Sequence, residues 1–234
     1  MTALAACRAA VFDAYGTLFD VHAPAARLEK EIGRPLGEIS ALWRAKQLEY
    51  TWLRALMGRH ADFWQVTQDA LDVAMEACGL RDDALRLELL HLYRSLDAYG
   101  DAVTVLERLR RSSKTTAVFS NANPGMLDDA VAAAGLGDHL DAVLSIEAAG
   151  IYKPAPRAYQ VVVDALGIPA AEIAFVSSNP FDAHGAAAFG FNAIWVNRAG
   201  RPGDRLPGTP RAVVDDLTQL LPLLLPDANE DTRA

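Results

Sequence analysis

From residue 115 onward, short apolar runs alternate with helical stretches that each stop at a glycine, and no other feature restricts the fold as much. The strand-like runs are Thr115–Phe119, Ala142–Ile146, Ile173–Ser177 and Ala193–Val196, with an earlier one at Ala9–Asp13. Between the later runs, Met126–Ala134 leads to Gly135, Pro156–Leu166 to Gly167, and Ala183–Phe189 to Gly190. Glycine just past a helix takes the left-handed conformation that turns the chain out of it. Strand and helix at this spacing build right-handed βαβ units, so the expected core is a Rossmann-like parallel sheet of the α/β class.

About a hundred residues between the first and second runs contain no convincing strand. Ile39–Met57 carries Ile39, Leu42, Trp43, Tyr50, Leu53 and Met57 on one broad helical face. Asp62 is placed to cap a second helix, in which Phe63, Val66, Thr67, Ala70, Leu71, Ala74 and Cys78 recur at three and four before Gly79. Asp83–Leu96 supplies a third. The segment is too long for a loop and too well patterned for disorder, so it reads as a helical cap inserted after the first strand. The expected division is a core of residues 1–18 and 97–226, a cap of 19–96, and a polar, disordered tail of 227–234.

Composition narrows the setting. The chain of 234 residues carries a net charge of −8 with no Lys/Arg-rich run, so neither nucleic acid nor an anionic membrane is an expected partner. Cys7 and Cys78 show no metal-ligand spacing and a poor context for a structural disulfide, which fits a reduced, cytoplasmic setting. No stretch approaches the roughly 20 apolar residues of a membrane span. Leu4-Ala5-Ala6-Cys7 superficially resembles a lipoprotein cleavage site, but no basic start or hydrophobic region precedes it, so a signal peptide is rejected.

Ligands of open parallel sheets bind beyond the carboxyl ends of the strands. Here the first run ends in Asp13 and the second in Ser120-Asn121. Tyr152-Lys153-Pro154 follows the third, and the fourth leads into Ser177-Ser178-Asn179-Pro180-Phe181-Asp182. Two carboxylates, an ammonium, hydroxyls and amides therefore converge on one rim. Asp13, delivered by a buried strand to the mouth of the sheet, is a candidate nucleophile.

These motifs resemble the haloacid dehalogenase superfamily and, within it, the L-2-haloacid dehalogenases. The nucleophile motif is Phe12-Asp13-Ala14-Tyr15-Gly16-Thr17-Leu18-Phe19-Asp20. The cap stretch Leu42-Trp43-Arg44-Ala45-Lys46-Gln47-Leu48-Glu49-Tyr50-Thr51-Trp52-Leu53-Arg54 is more specific, because the wider superfamily does not share it. Ser120-Asn121, Lys153-Pro154 with Tyr159, and Ser177-Ser178-Asn179 with Asp182 complete the set.

The resemblance implies metal-independent, cofactor-free hydrolysis of short L-2-haloalkanoic acids to D-2-hydroxy acids, in a homodimer. Asp13 would displace halide from C2 and form an ester that water then hydrolyses. Arg44 would accept halide and steer substrate, since a guanidinium tolerates a dry pocket. Ser120 would hold the substrate carboxylate, and Asn121 would donate to halide or order its loop. Asn179 would orient Asp13, Thr17 would bond its carboxylate, and Lys153 would pair with it. Asp182 would position or activate the water, with Tyr159 and Ser177 in the same network. Tyr15, Leu48, Phe63 and Phe181 would form an apolar wall. Taken singly, several have plainer readings: Arg44 as a solvated helix arginine, Asp182 as a helix cap, each aromatic as core packing.

A Mg²⁺-dependent phosphatase of the same superfamily is the main rival. It needs an acid two residues after the nucleophile and more carboxylates near the fourth strand, where this chain has Tyr15 and Ser177-Ser178-Asn179. A non-catalytic descendant is the other rival, although every expected catalytic residue type is present. Two departures from the family pattern, Ala122 in place of glycine and Phe181 in place of tryptophan, point to shifted substrate preference rather than lost activity.

Overall fold

A computed structural model describes residues 3–32 and 36–226; the side chains of residues 31 and 32 and the expected disordered tail at 227–234 lie outside the described residues. Its centre is a six-stranded, wholly parallel sheet in the order β3-β2-β1-β4-β5-β6. The strands are β1 (Ala9–Phe12), β2 (Thr115–Ser120), β3 (Ala142–Ser145), β4 (Ile173–Ser177), β5 (Asn192–Val196) and β6 (Ala212–Val214). β1, β4 and β5 are buried along their whole length, which explains why they read as unbroken apolar runs rather than alternating ones. The expected α/β parallel-sheet class is therefore the observed one.

Between β1 and β2 the described chain contains helices and no ladder strand: α1 (Ala23–Ile32), α2 (Gly37–Met57), α3 (Phe63–Ala77), α4 (Asp83–Arg94) and α5 (Ala102–Arg111). Asp62 caps α3 by accepting from the N–H groups of Trp64 and Gln65, at 2.8 and 3.0 Å. Its replacement by alanine is expected to cost about 1 kcal/mol, read as a lower urea midpoint with unchanged slope. After β2 come α6 (Pro124–Ala133), α7 (Pro156–Leu166), α8 (Pro180–Phe189) and α9 (Leu220–Leu224). The glycines expected to stop three of these helices, Gly135, Gly167 and Gly190, all have positive φ.

Several expectations are corrected. β1 ends at Phe12, so Asp13 stands just beyond the strand with its N–H still bonded to Val176 O. Ile146 belongs to a single 3₁₀ turn rather than to β3. α6 and α8 begin earlier than their apolar periodicity suggests, because Pro124 and Pro180 supply the fixed φ of a first turn. That places Asp182 inside α8, where it is not the cap. Ala122 is fully buried in the core, and the walls of the cavity at Asp13 do not include it.

Candidate active site

The sheet order reverses at β1 and β4: successive strands run outward from β1 on one side and from β4 on the other. The crevice between their carboxyl ends is where an open α/β sheet receives a ligand. Asp13 leaves β1 into it and Ser177-Asn179 leaves β4 into it, so both loops converge there because of the topology.

The Asp13 carboxylate is held asymmetrically. Its Oδ2 accepts from Asn179 Nδ2 at 2.7 Å, Thr17 Oγ1 at 2.9 Å and Ser177 Oγ at 3.3 Å. Among the described residues its Oδ1 accepts from Lys153 Nζ alone, at 2.9 Å. The donors are themselves fixed: Thr17 Oγ1 accepts from the N–H of Ser178, and Ser177 Oγ accepts from the N–H of Asn179. Rotation of the carboxylate is blocked, and one oxygen is left with room for a second contact.

Lys153 is almost wholly enclosed and donates to Asp13, to Asp182 Oδ2 at 2.8 Å and to Phe119 O at 3.1 Å. Its ammonium also lies over the rings of Phe119 and Phe175. Burial pulls the ammonium's pKa down, but Asp13 and Asp182 together outweigh it and hold the value above the usual lysine range. Asp182 behaves oppositely: burial pushes its carboxyl above the usual range, and the attraction of Lys153 offsets this only in part. Its Oδ1 accepts from the Tyr159 hydroxyl at 2.8 Å, while burial raises the pKa of that phenol well above its ordinary value. Gly185 lets α8 approach this closely, since a Cβ there would stand 2.7 Å from the Tyr159 hydroxyl oxygen.

Above Asp13 lies a small cavity of about 20 Å³. Lys153, Ser120, Asn121 and Asn179 form its polar wall, and Tyr15, Leu48, Phe63 and Phe181 its apolar one. Arg44 closes it from α2, donating to Tyr15 O at 3.3 Å and Asn179 Oδ1 at 3.2 Å. No carboxylate pairs with Arg44 among the described residues; its guanidinium donates to the neutral oxygens of Gln47, Tyr15 and Asn179. Ser120 Oγ accepts from the N–H of Ala122, which leaves its proton to donate. Asn121 Oδ1 accepts from the N–H of Lys153, fastening the two rim loops together. Of the residues singled out in the sequence, Thr17, Tyr159, Ser177 and Asp182 do not line the cavity; they sit behind Asp13 and Lys153.

The sequence reading missed Tyr93 and Gln47. Tyr93, from α4, stacks on Tyr15 with ring centroids 5.5 Å apart and donates to Gln47 Oε1. Gln47 in turn donates to Thr67 Oγ1, so α2, α3 and α4 brace the aromatic wall as a unit. The available signal was the spacing of Leu85, Leu89, Leu90 and Tyr93, which puts the ring on the buried face of α4.

Comparison with known proteins places this geometry in a family. The model of the haloacid dehalogenase-like hydrolases matches residues 7–190. The chain belongs to that family. Within it, this haloacid dehalogenase-like hydrolase is 46% identical over 219 residues to (S)-2-haloacid dehalogenase 1 of a Pseudomonas species, across 93% of this chain and 96% of that one. It is 44% identical to (S)-2-haloacid dehalogenase 4A of Burkholderia cepacia, across 93% and 94% of the two chains. Among solved structures, the L-2-haloacid dehalogenase of Xanthobacter autotrophicus with chloropropionic acid covalently bound superposes with a TM-score of 0.87 at 38% identity, covering 93% of this chain and 98% of that one. These similarities put the chain in the L-2-haloacid dehalogenase branch, as its motifs imply.

Proposed function

We propose that this chain is an (S)-2-haloacid dehalogenase that hydrolyses short L-2-haloalkanoic acids to D-2-hydroxy acids through an ester on Asp13. The observation that carries the reading is the asymmetric carboxylate of a residue that lines the cavity: three neutral donors hold Oδ2, while Oδ1 has one partner among the described residues. Oδ1 attacks C2, the C2–halogen bond breaks, and the halide leaves with the bonding pair toward the Arg44 guanidinium. Ser120 holds the substrate carboxylate, and the apolar wall keeps competing water from the anion.

In the resulting ester Asp13 carries no charge, and Lys153 keeps Asp182 as its remaining carboxylate partner. Water then adds to the carboxyl carbon of Asp13 and gives a proton to Asp182, the carboxylate behind it. The bond between that carbon and the ester oxygen breaks, the leaving alkoxide takes the proton held by Asp182 to become the hydroxy acid, and the Asp13 carboxyl releases the second water proton to solvent. Tyr159 holds the free side of Asp182, and Asn179, Thr17 and Ser177 hold Asp13 throughout. The rival phosphatase chemistry fits the donors poorly. Tyr15, which stands where an acid is needed, is a buried phenol with its pKa raised by burial.

We further propose a cap of residues 19–96 over a core of 1–18 and 97–226, a cytoplasmic protein, and a homodimer. Support for the dimer is the exposure of Trp52, Leu53, Leu56 and Met57 along α2, beside an apolar groove that also includes Leu206. Support for the setting is that both cysteines are free and no described helix is long and apolar enough to cross a membrane.

The test is halide release from L- and D-2-chloropropionate in EDTA. Release from the L form alone is the expected result. No release, together with magnesium-dependent hydrolysis of a phosphate ester, would sink the proposal.

A further inference from the structure

A second cavity of about 340 Å³ adjoins the first, and the two share the walls Arg44, Leu48, Asn179 and Phe181. Its outer rim comes from the loop after β5, including Arg198 and Arg201, and from His22. Arg198 is spoken for: it forks onto Asp101 at 2.8 and 3.0 Å and stacks over Tyr99. Arg201 is different. Its backbone is pinned by two hydrogen bonds to the Asn197 side chain, both 2.9 Å, while its guanidinium has no carboxylate partner among the described residues. His22 registers the local field: desolvation first, then Arg44 and Arg201, lower its pKa, against Asp20, which raises it. Of the nearby carboxylates, Asp20 raises the His22 pKa and Asp101 is paired with Arg198.

The contrast with the whole molecule gives this its meaning. A protein of net charge −8 repels an anion at long range, so an anionic substrate approaches efficiently only where uncompensated cations face solvent. Here one such cation, Arg201, stands at the outer rim of a cavity whose inner wall carries another, Arg44. We propose that 2-haloacid reaches Asp13 through this cationic vestibule, with Arg201 as a steering residue that draws the anion inward to Arg44. The inference rests on the dehalogenase reading above, and it assigns Arg201 a part in approach alone, with no contact to the reacting atoms.

The experiment compares wild type, Arg201→Gln and Arg205→Gln for halide release from L-2-chloropropionate, at about 10 mM and about 0.5 M salt. Arg205 is an exposed arginine of the same loop outside the cavity wall, so its variant controls for the change in net charge. At low salt R201Q is expected to lower kcat/KM by about two- to fivefold with kcat unchanged. The gap should close at high salt, where the Debye length shrinks to about 4 Å, and R205Q should match wild type. A deficit that persists at high salt, appears in kcat, or is shared equally by R205Q would overturn the steering role. Wild-type enzyme that releases halide from neither enantiomer would remove the dehalogenase reading and this inference together, a result distinct from the first.

Discussion

Asp13→Asn is expected to abolish halide release, by on the order of 10⁴-fold or more, and to leave the protein's stability within about 1 kcal/mol of wild type or above it. The two halves of this result have one origin. With Asp13 ionised, as attack requires, Asp13, Lys153 and Asp182 form a nearly dry cluster of two negative charges and one positive. Replacing the Asp13 carboxylate by an amide removes the nucleophile and also removes the excess charge, so Lys153 and Asp182 remain as a balanced pair. One bond to Lys153 is lost in exchange: the amide oxygen must face Asn179, whose Nδ2 is fixed by Tyr15 O and whose Oδ1 is held by Arg44, and the amide nitrogen then turned toward the ammonium cannot accept from it. The two effects offset, and the unfolding free energy should lie within about 1 kcal/mol of wild type or above it. Urea unfolding and a halide assay on the same preparation decide the matter. Residual turnover within a hundredfold of wild type, or a loss of several kcal/mol, would mean that Asp13 is a structural anchor rather than the attacking group.

What the sequence disclosed follows from which interactions are local. Asp13 was legible because a buried strand has to be apolar, and a carboxylate at its end is conspicuous against that run. Lys153 was legible only through its place on the rim, since nothing in Tyr152-Lys153-Pro154 announces a buried ammonium; burial here depends on two acids distant in the chain. α5 was missed although Val105, Leu106 and Leu109 are buried, because Arg108, Arg110 and Arg111 make its end read as solvated. β6 escaped because three residues at a sheet edge give little periodicity. The Tyr93–Gln47–Thr67 brace joins three helices through side chains, and a single sequence carries no mark of such a pairing until the helices are packed.

Lys153→Met should produce the largest loss of stability available from one side chain in this site. It retains much of the bulk but leaves Asp13 and Asp182 facing each other across a nearly dry gap with no cation between them. Breaking a buried pair from one side costs about 3–5 kcal/mol, and here one lysine serves two acids. Activity should vanish as well, because the nucleophile then sits beside an unscreened like charge. The double variant Lys153→Met with Asp182→Asn separates the causes: it removes one of the stranded charges, so at least half of the lost stability should return while halide release stays absent. The pH profile supplies an independent signature. The folded-state pKa of Lys153 is raised above its ordinary 10.5, so its contribution is fully present below the unfolded value and is lost as pH rises through the folded one. Wild type should therefore lose stability on the alkaline side beyond about 10.5; the buried phenols Tyr15 and Tyr159, also raised by burial, add to that loss in both proteins, so the limb should be shallower in K153M. If K153M unfolds at the wild-type urea concentration at neutral pH, the ammonium is not compensating those acids, and the charge balance on which both variants depend is wrong.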